Sequence, residues 1–99
     1  MNYITTRNEE KNITRHDWTL DGYTLTIIKY EDRSNRITIK PPLDAPELCV
    51  DDFREDPAVE VNWSAIGNVN GDKARKYAAK IVAAANIAET FQGIIEGMK

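Results

Sequence analysis

One cysteine and one histidine in 99 residues remove most metal and nucleophilic chemistry at the outset. A structural zinc site draws four ligands mainly from Cys and His, and the monomer has no such set. Cys49, being alone, can form no internal disulfide, and an unpaired thiol in a short chain fits a reducing cytoplasm. No histidine or basic residue stands near it in sequence to lower its pKa, so a small buried or half-buried thiol is expected rather than a nucleophile. Neither GxxxxGK[ST] nor GxGxxG occurs, which leaves a nucleotide phosphate without a cradle. No apolar run approaches the roughly 20 residues of a membrane span. The opening MNYITTRNEEKNITR interleaves charge with its apolar residues, unlike a signal peptide. Repeats and low-complexity tracts are missing too. These absences point to a protein that is not an enzyme, needs no cofactor or metal, and does not enter a membrane.

What is present suits one soluble domain spanning 1–99, with 41% hydrophobic and 29% charged residues. The net charge of −3 hides a partition. Residues 1–43 are nearly balanced, whereas residues 44–72 hold 8 acids against Arg54 alone. The densest acidic patch is DDFRED at 51–56, where Asp51, Asp52, Glu55 and Asp56 are candidates for docking on a basic partner. The glycine and distant glutamate of a calcium loop are missing around it.

The first twelve residues are polar and read as flexible. HDWTL-DG-YTLTIIKYE is the clearest local signal: Asp21-Gly22 suits a two-residue hairpin turn that pairs Leu20 with Tyr23, Trp18 with Leu25, and His16 with Ile27. All six then share a face, which makes His16 a partly buried sheet histidine rather than a general base. RITIK forms a third strand. A three- or five-residue loop, or a bulge near Ile27-Ile28, brings Ile37 and Ile39 to the same face, and the odd loop with Asn35 left-handed is favoured. Pro41-Pro42 ends that strand. A long acidic connection follows over 41–57, with one helical turn expected from Pro46 and with Leu48, Val50 and Phe53 dipping into the core. AVEVNW is a fourth strand that need not neighbour the third, with Val59, Val61 and Trp63 inward.

Asn70 is a good N-cap for a terminal helix, with Val69 and Ala74 at staple positions. Apolar residues recur at 74, 77, 81, 84, 88, 91 and 95. Tyr77, Ile81, Phe91 and Ile95 are the expected large core residues. The architecture is α+β: a three- or four-stranded antiparallel sheet with one C-terminal helix packed on one face. Lys73, Lys76 and Lys80 stack on one side of the first turns, with Arg75 beside them, where the helix dipole disfavours cations. The cluster could grip phosphates or answer the acidic 44–60 segment within the fold.

The stretch VNWSAIGNV and the helix after it resemble the C-terminal part of short proteins encoded by prophages and mobile elements, through Trp63, Ser64, Gly67, Val69, Ala74, Tyr77 and Ile81. Some of those are anti-CRISPR inhibitors, which bind an effector complex and often present acidic surfaces. The resemblance implies a non-catalytic inhibitor or adaptor in a bacterial cytoplasm, acting on a protein partner such as a nucleic-acid-handling effector. The near-balanced N-terminal half departs from the strongly acidic pattern. The alternative is a nucleic-acid-binding accessory protein using Lys73, Lys76 and Lys80, although net −3 should repel phosphate. A homodimer through an open sheet edge is a third reading.

Overall fold

The structure, a computed structural model, describes residues 1–51, 56–63 and 67–98. It is an α+β fold. Strands β1 (Asn2–Asn8), β2 (Ile13–Leu20), β3 (Tyr23–Tyr30) and β4 (Arg36–Lys40) form an antiparallel sheet in the order β1-β2-β3-β4. Strands β5 (Glu47–Val50) and β6 (Val59–Asn62) form a separate two-stranded sheet, and α1 (Gly71–Gly97) closes the chain.

The central hairpin has the expected register, with Leu20↔Tyr23, Trp18↔Leu25 and His16↔Ile27. Both turn residues take the positive φ that a tight hairpin demands, Asp21 at 48° and Gly22 at 84°. A side chain at Gly22 would also collide with Pro42, since an added Cβ would lie 2.9 Å from the proline Cβ. β3 then pairs with β4 through Ile27↔Ile37 and Leu25↔Ile39. The odd loop is therefore correct, and it puts both isoleucines on the core side. Asn35 is not left-handed, however; among the described non-glycine residues only Asn12, Asp21 and Asp44 have positive φ. The Asn35 amide instead donates to the Met98 carbonyl at 3.5 Å, tying this loop to the end of α1.

Three expectations are corrected. The N-terminal residues read as flexible form β1, in register with β2 from Asn2↔Thr19 to Asn8↔Ile13. The ladder satisfies backbone groups without burying a side chain, which is why hydrophobic patterning gave no sign of it: every residue of β1 is exposed. The helical turn expected from Pro46 is strand β5. Its alternation turns Leu48 and Val50 inward and leaves Glu47 and Cys49 exposed, so Cys49 is not buried. The third correction concerns α1, which buries only Ala84, Ile87, Ala88, Phe91 and Ile95. Ile81 is 37% and Val82 60% exposed, Tyr77 is half-buried, and Val69 and Ala74 are both exposed. Length explains this. A helix of 27 residues is about 40 Å long, whereas β3 spans only about 27 Å, so the first half of the helix overhangs the sheet.

The core lies where the second half of α1 and the second sheet meet β3, and it unites Leu25, Ile27, Ile37 and Tyr23 with Phe91, Ala84, Ala88 and Ile95, plus Leu48 from β5. Two polar clips fasten the second sheet to it. The Tyr23 hydroxyl donates to the buried Pro46 carbonyl at 2.6 Å. Gln92 donates to the Pro57 carbonyl at 2.9 Å and accepts from the Val59 N–H at 2.7 Å.

Candidate functional site

Register assigns Tyr3, Thr5, His16, Trp18, Leu25, Ile27, Ile37 and Ile39 to one face of the main sheet. The helix and the second sheet bury Leu25, Ile27 and Ile37 and partly cover Ile39. They leave the β1 and β2 members open, with Tyr3 50% exposed and His16 and Trp18 half-buried. The sheet is thus covered over one half of its inner face only.

Three aromatic rings fill the open half. Tyr3 and Trp18 are cross-strand partners whose ring centroids lie 5.1 Å apart at 30°. His16 stacks on both, 5.9 Å from Tyr3 and 5.7 Å from Trp18. The Tyr3 hydroxyl lies 2.6 Å from His16 Nδ1. Burial, then the Lys29 charge, lowers the His16 pKa against a smaller upward pull from Asp17. The neutral ring therefore prevails at neutral pH, and the tautomer it adopts sets whether Nδ1 accepts from the Tyr3 hydroxyl or donates to it. The result is an aromatic ledge in which each ring stacks on the other two and Tyr3 is tied to His16 by a hydrogen bond.

The opposite face is organised differently. Arg15 grips Asp17 with Nε at 2.9 Å and Nη2 at 3.2 Å, while Thr26 donates to the same carboxylate at 2.6 Å. Burial alone would raise the Asp17 pKa, but these donors outweigh it and hold the carboxyl below its usual range. Asp17 is a satisfied structural anion rather than an acid or base. The guanidinium of Arg33 sits 5.0 Å from the Tyr30 ring centroid.

The basic residues at the start of α1 come only partly together as a phosphate site would require. The Lys80 ammonium donates to the Asp44 carbonyl at 2.8 Å and to its carboxylate at 2.9 Å, and lies 5.8 Å from the Trp63 ring centroid. Trp63 in turn meets Tyr77 edge-on at 4.9 Å. Arg75 pairs with Asp72 at 3.1 Å. Lys73 and Lys76 are exposed, and Asn70 caps the helix by accepting from the Lys73 N–H at 2.9 Å. Arg75 and Lys80 are thus answered by Asp72 and by Asp44 of the acidic segment.

Of the acidic patch, Asp51 and Asp56 are exposed, while Asp52 and Glu55 lie outside the described residues, as do Phe53 and Ser64. No group of three or more His, Cys, Asp or Glu able to hold a metal occurs among the described residues. No described helix is long and apolar enough to cross a membrane. Tyr3 is the member of this cluster that sequence reasoning missed. The run Tyr-Ile-Thr-Thr has strong strand propensity and was the available signal. No family model, curated protein or solved structure matches the chain.

Proposed function

We propose that the chain is a non-catalytic protein-binding inhibitor or adaptor, and that it meets its partner with the open half of the sheet's inner face. The Tyr3–His16–Trp18 ledge is the observation that supports this reading. Tyr and Trp dominate the energetics of protein interfaces, and rings already held in place lose little entropy on docking. In its sharpest form the protein is an anti-CRISPR-type inhibitor of a nucleic-acid-handling effector; that form follows from the resemblance of residues 61–91. The acidic residues Asp51, Asp52, Glu55 and Asp56 would then steer the encounter electrostatically. The alternative, phosphate binding by Lys73, Lys76 and Lys80, is weakened because Lys80 is engaged with Asp44.

The test uses paired baits in a bacterial lysate: the wild-type chain and the double variant Tyr3→Ser with Trp18→Ser. A partner recovered by the first and depleted at least about tenfold with the second, then reproduced with purified components, supports the reading. Equal recovery by both baits overturns it. In parallel, duplex and single-stranded oligonucleotides should show no mobility shift at low salt; a shift abolished by Lys73→Ala with Lys76→Ala would favour the alternative.

A further inference from the structure

The open edge of β1 supports an inference independent of the partner. The two-residue turn makes Leu20 and Tyr23 a hydrogen-bonded pair, so Leu20, Trp18, His16 and Thr14 direct their backbone groups toward β3. The intervening residues of β2 direct theirs toward β1, where they meet Asn2, Ile4, Thr6 and Asn8. The N–H and C=O groups of Tyr3, Thr5 and Arg7 consequently point away from the sheet, in an edge strand where every residue is exposed.

Natural sheets blunt such an edge with lysine, proline, a bulge or a covering element. β1 (NYITTRN) has neither lysine nor proline, and its register with β2 runs unbroken over all seven residues. The pattern is also symmetric about Thr5. An antiparallel copy placed there sets Thr5 opposite Thr5 and Tyr3 opposite Arg7, and all the outward backbone groups of both strands find partners. Charge agrees with this arrangement. Each guanidinium falls beside an aromatic ring rather than a like charge, and β5, in the acidic stretch, contacts β4 at the opposite edge of the sheet.

We propose that the chain is a two-fold symmetric homodimer in which β1 pairs antiparallel with β1 of a second copy about Thr5, joining two four-stranded sheets into one of eight. The dimer also sets two Tyr3–His16–Trp18 ledges side by side on one continuous face. An interface of one strand pair is small, and a dissociation constant on the order of 10 µM is expected.

Sedimentation equilibrium and chemical-shift mapping of the wild type across a range up to about 100 µM test this. The expected result is a mass approaching twice the 11.2 kDa of the chain, with the largest shifts at Tyr3, Thr5 and Arg7. Thr5→Pro removes an N–H that points outward and leaves the β1–β2 ladder intact, so it should give a folded monomer. Thr5→Lys places two ammonium groups together at the two-fold axis and should do the same without any backbone constraint. A wild type that stays monomeric throughout the range overturns the proposal, as does a dimer that survives Thr5→Lys. Thr5 shares the ledge face and lies opposite His16, so partner capture is scored with Trp18→Ser, which lies outside the β1–β1 seam; the dimer can fail while capture succeeds, and the reverse.

Discussion

The Tyr3 hydroxyl and His16 Nδ1, 2.6 Å apart, couple the edge strand to the charge state of the histidine. Burial and Lys29 hold the folded-state pKa of His16 below its ordinary value. As pH falls below about 6.5, the unfolded chain takes up a proton before the folded one does, so the folded state loses stability through that window. Protonation makes Nδ1 a donor, and the Tyr3 hydroxyl then accepts from it. Thermal midpoints should therefore rise as pH increases from about 5 to about 7, and His16→Gln should flatten that part of the profile. Parallel profiles for the two proteins would mean that His16 is not the titrating group. The stabilisation due to Asp17 is lost in a separate, more acid window, because its pKa is lowered.

Gly22 answers two constraints at once, a φ of 84° and an approach that leaves 2.9 Å between an added Cβ and Pro42. Gly22→Ala should cost about 1–3 kcal/mol in urea unfolding. A cost below about 0.5 kcal/mol would indicate a turn that readily takes another conformation.

The two halves of α1 should respond differently to truncation. Phe91 is fully buried between helix and sheet, and Phe91→Ala should cost about 3–5 kcal/mol. Val82, 60% exposed on the overhang, should tolerate alanine within about 0.5 kcal/mol. Comparable losses at both positions would show that the overhang is packed in solution.

Gln92 satisfies the Val59 N–H and the Pro57 carbonyl from α1. Gln92→Ala removes both partners at once and should cost about 1–3 kcal/mol, with faster amide exchange at Val59 than at the Phe91 end of the core. Unchanged exchange at Val59 would show that β6 does not depend on this clip.

The central hairpin was legible because three signals agreed: Asp-Gly turn chemistry, cross-strand pairing, and alternation that set Leu25 and Ile27 against Trp18 and His16. The helix start was equally legible, since Asn70 had to cap it and does so. β5 was misread because Pro46 is a helix-opening signal as much as a strand flank, and four residues are too few for alternation to decide between them. β1 was missed because hydrophobic patterning detects burial, and β1 buries nothing. The same reason hid half of the aromatic ledge: Trp18 and His16 followed from the hairpin, but Tyr3 joins them only once β1 is in register. Helical periodicity located α1 but could not reveal that the sheet beneath it ends before Ile81 and Val82 are covered.

Hydroxyl-radical footprinting of the chain, alone and bound to the captured partner, reads the competing surfaces in one experiment because each carries its own oxidisable aromatics. Tyr3 and Trp18 report the open half of the sheet, and Trp63 and Tyr77 report the start of the helix beside Lys80. Binding through the aromatic ledge should lower oxidation of Tyr3 and Trp18 at least about fivefold while Trp63 and Tyr77 keep their free-state rates. Protection of Trp63 and Tyr77 with Tyr3 and Trp18 unchanged would contradict it and assign binding to the overhanging helix.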